Sequence, residues 1–253
     1  MQTVIILDGH LAKSALAAVR SLGKRGLYVT CGSTRSTAAA CHSRYIHRSF
    51  IYFSPKVNQE GFVADLIKEA KISIETNGNK PVLFSFSDAT SLLISRHRSR
   101  LSQYYQLGLP REESVEIAAD KKETYALAQK LTIPTIPTFT IQDLKEVEYP
   151  AVVKNRHSIV WSDTGSISGS ATFVFSKEEL EKTYEEVHTQ TGEVPLIQKL
   201  IVGEEYGIEM VCAHGEVVAF FAHHRVRSLS PRGGAAVIKE TARQSPEVEQ
   251  MMQ

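Results

Sequence analysis

The sequence lacks a long hydrophobic run, a cysteine framework and an excess of charge of either sign. At the amino terminus, MQTVIILDGHLAKSALAAV holds one short apolar run interrupted by Asp8 and His10, with no basic leader and nothing near the ~20 apolar residues of a membrane span. A cytoplasmic protein with no membrane association is expected. Its three cysteines, Cys31, Cys41 and Cys212, are odd in number and have no C-x-x-C spacing, which argues against both a disulfide framework and a zinc site. They are expected as unpaired structural thiols. Lys plus Arg number 29 against 28 Asp plus Glu, so the +1 balance provides no overall field for nucleic acid, and any anion binding has to be local. Glycine is sparse where a dinucleotide site would need it: GHLAKS stands in place of G-x-G-x-x-G, which speaks against a nicotinamide cofactor.

What is present is apolar material for more than one core, 42% of 253 residues. Residues 4–7 form a continuous apolar run ending at Asp8-Gly9. Ala15, Leu16, Val19 and Leu22 then recur at helical spacing, closed by Gly23 and Gly26. A strand at 27–31, an aromatic segment at 45–53, a helix at 59–71 and a strand at 81–86 follow. That alternation predicts a parallel sheet with crossover helices. Ligands of such sheets favour the carboxyl ends of strands, where Asp8-Gly9 and Ser87-Asp88 fall. Arg96, Arg98 and Arg100 beside Tyr104 and Tyr105 imitate a nucleic-acid surface. One short basic run in a neutral chain offers few phosphate contacts, so a solvated helix is expected there and no nucleic-acid partner.

After Pro110 the pattern changes. Asp120 and Glu123 form a capping-box-like start, and Thr124, Leu127, Ala128 and Leu131 recur on one helical face until Pro134 and Pro137 stop the helix. Lys121 thus falls in the first helical turn, where a cation opposes the helix dipole unless an anion is bound. From Pro150 onward, short alternating strands separated by Gly, Ser and Asp turns predict an antiparallel sheet. Lys154 in AVVKN shares a strand face with Val152, one cation on an apolar face, and a buried lysine calls for an anion. The glycines and small hydroxyl residues of SDTGSISGS could close over phosphate oxygens. PLIQKLI followed by Glu204-Glu205 supplies an apolar slot and a carboxylate for ribose hydroxyls within a few residues. His223 and His224 lie on opposite faces of a return strand beyond the His214-Gly215 turn, which argues against a shared metal. Arg225, Arg227 and Arg232 surround PRGGAA, and such arginines suit phosphate or carboxylate.

DK at a helix start, the strand PAVVK, a Gly-rich hairpin, QKLIVGEEYGIE and HRVRSLSPRGG, in that order, resemble the ATP-grasp superfamily, especially its carbamoyl-phosphate-synthase-like members. VIILDGHLAKSALAAVRSLGKRG and SRYIHRSF look like the domain that precedes it, so the likeness spans nearly the whole chain. The resemblance implies an α/β fold: an amino-terminal parallel-sheet pre-ATP-grasp domain over 1–111, then a partial α+β ATP-grasp domain over 112–253. It further implies an ATP-dependent carboxylate-amine ligase acting through an acylphosphate, with ATP and an unidentified carboxylate as partners and homo-oligomerisation left open. Carried over, Lys121 and Lys154 match the phosphate-contacting lysines, and Ser166, Ser168 and Gly169 the phosphate lid. Gln198, Lys199, Leu200 and Ile201 match the adenine-lining segment, Glu205 the ribose acid, and Arg225 a basic residue near the transferred phosphate.

The family holds Mg²⁺ with acidic residues and an asparagine on later strands. No residue here matches them, so the metal ligands are expected beyond residue 253 and the chain is expected to be the amino-terminal portion of a longer protein. Two other classes stay open: a nucleotide-binding module without catalysis, and a non-nucleotide sugar or amino-acid binding protein that shares the architecture.

Overall fold

In a computed structural model the described residues are 2–11, 13–162, 165–169, 171–230 and 233–242. Arg232 and the terminal SPEVEQMMQ lie outside them. The chain forms two compact units, residues 1–200 and 201–253.

The first unit opens with alternating strands and helices: β1 (Thr3–Ile6), α1 (Ser14–Lys24), β2 (Tyr28–Ser33), a 3₁₀ turn at Ala39–His42, β3 (Arg48–Ile51), α2 (Gln59–Asn77), β4 (Val82–Phe84), α3 (Asp88–Arg96), α4 (Arg98–Leu101) and β5 (Gln106–Leu107). The five strands form one parallel sheet in the order β3-β2-β1-β4-β5. The unbroken apolar run of β1 follows from coverage on both sides. Ile5 and Leu7 pack with Phe62, Leu66, Leu93 and Ile94 from α2 and α3, whereas Val4 and Ile6 pack with Ala15 and Val19 of α1 and with Cys31 and Cys41. Helix α2 runs to Asn77, further than its apolar pattern predicts. Asn58 caps its start by accepting from Gly61 N–H, and Gly78 ends it at φ +75°, a left-handed conformation that glycine adopts without steric cost.

Two helices follow, α5 (Glu112–Ala119) and α6 (Lys121–Lys130), with Asp120 extended between them. The apolar face predicted for α6 is present but uncovered: no α6 residue is buried, and Leu127 and Leu131 are 42% and 58% exposed. Next come β6 (Thr138–Phe139), β7 (Ala151–Lys154), β8 (Ile159–Ser162), β9 (Gly165–Ser168), β10 (Ala171–Val174), α7 (Lys177–Thr191) and β11 (Leu196–Lys199). Four of these strands make an antiparallel sheet in the order β10-β7-β11-β6, and β8 pairs with β9 as a separate hairpin. Helix α7 covers one face of the four-stranded sheet. Its Leu180, Tyr184 and Val187 pack on Ala151, Val153, Val174 and Ile197, each contributing about 1.5–3 kcal/mol of burial.

The second unit is a three-stranded antiparallel sheet of β12 (Tyr206–Ala213), β13 (Glu216–Ser230) and β14 (Gly233–Thr241). His214 and Gly215, both at positive φ, make the predicted β12–β13 turn. β13 spans 15 residues because irregularities at Arg225–Ser230 let it bend without ending. No helix among the described residues is long and apolar enough to cross a membrane.

Candidate functional site

Strand register decides which side chains of the four-stranded sheet share a face. Lys154 lies opposite Leu196 and Ala171, Val152 opposite Gln198, and Gln198 opposite Thr138. Lys154, Val152, Leu196, Gln198 and Thr138 therefore stand on the face away from α7. Gln198 is 1% exposed; its Nε2 donates to Thr138 Oγ1 at 3.1 Å, while its Oε1 is buried without a partner. Lys199 falls on the opposite face, where its Nζ meets Glu148 at 2.5 Å, and its backbone N–H donates to Pro137 O. Leu200 is half-buried.

Lys154 is half-buried and forms no ion pair among the described residues. Lys121 begins α6, as the cap of Asp120 predicts, and is half-buried. Its Nζ donates to Arg156 O at 3.3 Å and to Ser158 Oγ at 3.4 Å, which leaves one of three N–H donors uncommitted. Burial holds the Lys121 ammonium below its usual range, and the Lys154 charge pushes the same way against the opposing pull of Asp88, Glu193 and Asp120. Two separate sequence segments thus place their lysines within electrostatic reach of one another.

The β8–β9 hairpin brings its small residues close to this region. Ser168 Oγ lies 3.5 Å from Lys56 Nζ, and Ser166 is half-buried. Gly169 is required by packing, since a Cβ there would come within 2.5 Å of His157 O; its N–H is already given to Ser158 O at 2.8 Å. The hairpin tip lies outside the described residues.

Sequence reasoning found Asp120 as a cap but missed the cluster it anchors. Asp120 accepts from Lys122 and Glu123 N–H, is held bidentately by the Arg156 guanidinium, and faces His157 Nε2 at 3.6 Å. His157 Nδ1 in turn meets Glu193 at 2.7 Å. Burial alone would raise the Asp120 pKa, but the hydrogen bonds and charge of Arg156, with the Lys122 N–H, outweigh it and hold the carboxyl low. Arg156 and His157 lie beyond Asn155 at the end of the AVVK strand, and Glu193 lies well downstream, so no local spacing marked the set. A cavity of about 600 Å³ opens beside it, walled by Leu92, Arg96, Glu116, Ile117 and Trp161.

The two turns predicted at the carboxyl ends of the parallel strands do meet. Asp8, buried and at φ +57°, accepts from Phe86 N–H (2.8 Å), Thr90 Oγ1 (2.7 Å), Ser87 Oγ (3.2 Å) and Tyr52 Oη (3.2 Å). These donors occupy the carboxylate, so Asp8 joins strands β1 and β4. Of the arginine run, Arg100 pairs with Glu60 at 3.0 Å.

In the second unit Ile201 is exposed, and Arg225 pairs with Glu205 at 2.6 Å while also donating to Gly234 O at 2.5 Å. The two residues assigned separate roles from the resemblance thus hold one another. His223 meets Glu209 and His224 meets Glu240, each at 3.1 Å, on opposite faces of the sheet.

No family model and no curated protein matches the sequence. Solved structures do. The L-amino acid ligase of Bacillus licheniformis superposes with a TM-score of 0.69 at 15% identity, over 99% of this chain and 57% of its own. N5-carboxyaminoimidazole ribonucleotide synthetase of Thermotoga maritima gives 0.64 at 15%, over 100% and 59%. The biotin carboxylase domain of Hydrogenobacter thermophilus 2-oxoglutarate carboxylase, a dimer in complex with MgADP, ADP and bicarbonate, gives 0.68 at 15%, over 99% and 56%. The chain has the ATP-grasp fold. It spans less than three-fifths of the length of each of these ATP-grasp structures, and at such identity the likeness is one of fold. The expected α/β class, a parallel sheet followed by part of an ATP-grasp domain, stands.

Proposed function

We infer that the chain is the nucleotide-binding portion of an ATP-dependent carboxylate-amine ligase, with residues 1–111 as the preceding domain and 112–253 as the ATP-grasp part. The observation that carries this reading is a pair of half-buried lysines from separate segments: Lys154 forms no ion pair among the described residues, and Lys121 is held below its usual range by burial and, to a lesser extent, by the Lys154 charge. Two half-buried ammoniums are relieved by a polyanion, and similar solved structures hold nucleotide polyphosphates: MgADP in the Hydrogenobacter biotin carboxylase domain and a beta-gamma-ATP ligand in Campylobacter jejuni biotin carboxylase. In this reading Lys154 and the free donor of Lys121 take phosphate oxygens, and Ser166, Ser168 and Gly169 close over them. The purine lies on the Gln198–Ile201 segment, with backbone groups of Lys199, Leu200 and Ile201 recognising its edge. Gln198 Oε1, buried without a partner, offers an acceptor on the same face as Lys154. Glu205 binds ribose hydroxyls and Arg225 neutralises the transferred phosphoryl group, roles that require their present ion pair to open. The protein's contribution would be alignment and charge neutralisation of a phosphoryl group passing to a carboxylate, whose acylphosphate an amine then attacks.

Magnesium would neutralise charge on the phosphates and would be held by carboxylate ligands. Among the described residues no group of three or more His, Cys, Asp or Glu is arranged to hold a metal ion. A nucleotide-binding module without catalysis is the second reading.

Incubation with ATP, Mg²⁺, hydroxylamine and a panel of amino acids and small carboxylates separates these readings. The ligase reading expects ADP and a hydroxamate in the presence of one carboxylate class. ATP binding without ADP release under every carboxylate supports the binding module. Indifference to ATP supports a non-nucleotide binding protein.

A further inference from the structure

Cys31, in β2, and Cys41, in the 3₁₀ turn, are free thiols as expected, and their sulfurs lie 3.3 Å apart with Cys41 donating to Cys31. Cys41 Sγ also lies 3.6 Å from Cys31 O. Gly9 closes over both: a Cβ at that position would stand 2.9 Å from one sulfur and 3.0 Å from the other. No such pairing involves Cys212, which is exposed on β12. A thiol pair at this separation needs only a modest approach to reach the ~2.05 Å of a disulfide.

We propose that Cys31 and Cys41 form a reversible dithiol–disulfide site whose oxidant is a hydroperoxide. The site is independent of the nucleotide reading. The environment divides the roles between the sulfurs. Once Cys41 is ionised the bond reverses and the Cys31 S–H donates to the thiolate, which lowers the Cys41 pKa against the effect of burial. Cys31 is pushed up by that same bond, then by burial and by the Asp8 charge. Cys41 is also the more accessible, at 7% against 0%. The Cys41 thiolate attacks the terminal peroxide oxygen, the O–O bond breaks and alcohol or water leaves, giving a sulfenic acid. The Cys31 sulfur then attacks the sulfenic sulfur, losing its proton as the S–O bond breaks and water departs. Two thiols are oxidised by two electrons and one hydroperoxide is reduced, with no other reactant.

The test uses the full chain carrying Cys212→Ser, treated with hydrogen peroxide, then denatured, alkylated with iodoacetamide and weighed. The expected product is lighter than the reduced chain by two hydrogens, takes up no alkyl group, yields one peptide joining Cys31 to Cys41, and recovers two alkylatable thiols with dithiothreitol. Two alkylatable thiols after peroxide, or added oxygen at Cys41 without the cross-linked peptide, would overturn the proposal. In the same background Cys41→Ser is expected to leave Cys31 reduced. Oxidation of Cys31 at an unchanged rate would refute the assignment of Cys41 as the attacking sulfur.

Discussion

Replacing Lys154 by methionine is expected to weaken binding of a non-hydrolysable ATP analogue by roughly 10- to 150-fold, the ~1.5–3 kcal/mol of a charge-assisted contact, while leaving the fold at least as stable. Methionine keeps an unbranched apolar stem against Val152 and Leu196, so packing on that sheet face survives. The lost charge has no partner among the described residues and acts against Lys121, so its removal relieves repulsion. Lys199→Met is the matched control. Its ammonium lies on the other face of the same sheet, paired with exposed Glu148, and only its backbone is assigned to the nucleotide, so affinity should change less than about 2-fold. Titration calorimetry on the two variants, with thermal unfolding alongside, reads both halves of the contrast. Equal affinities would remove Lys154 from the site.

The second large effect concerns stability. Asp120→Ala is expected to cost about 2–4 kcal/mol, because it removes the α6 cap and leaves half-buried Arg156 and His157 facing no carboxylate at that position. The lower figure allows for solvent screening at partly exposed Arg156. Thermal unfolding of the 200-residue unit should fall by roughly 4–16 °C. Asp120→Asn retains a capping oxygen and loses the charge, so it should fall between alanine and wild type. The pH dependence has a definite sign. The folded carboxyl titrates below its ordinary value of 3.8, so its contribution is complete above that pH and disappears as pH falls through the lower folded value. Wild type and Asp120→Asn should differ most near neutrality and converge in acid. A constant difference down to strongly acidic pH would mean that the charge of Asp120 is not what stabilises the cluster.

What could be read from the sequence was what depends on local pattern. The unbroken apolar run of β1 carries its own evidence of a sheet covered on both faces, and Asp120 before a periodic segment carries its own evidence of a cap. The shared face of Lys154 and Val152 follows from strand alternation alone, and the structure adds that Gln198 and Thr138 lie on it. What escaped depends on contacts between distant segments. Arg156 and His157 converge on Asp120, and Glu193 on His157, because β7 and the segment entering β11 run beside the start of α6, a register no spacing rule encodes. Cys31 and Cys41 meet because a 3₁₀ turn folds back beneath the Gly9 turn. The exposure of the α6 face was equally beyond the sequence: helical periodicity identifies a face but not what covers it.

The central claim is that Lys121 and Lys154 hold the phosphates of ATP, and titration calorimetry of the 253-residue chain with a non-hydrolysable ATP analogue, with and without Mg²⁺, tests it most directly. Saturable one-to-one binding that inorganic triphosphate displaces and that Lys154→Met weakens is the predicted result. Absence of heat at millimolar analogue in a chain shown to be folded, or binding that Lys154→Met leaves unchanged, would contradict it.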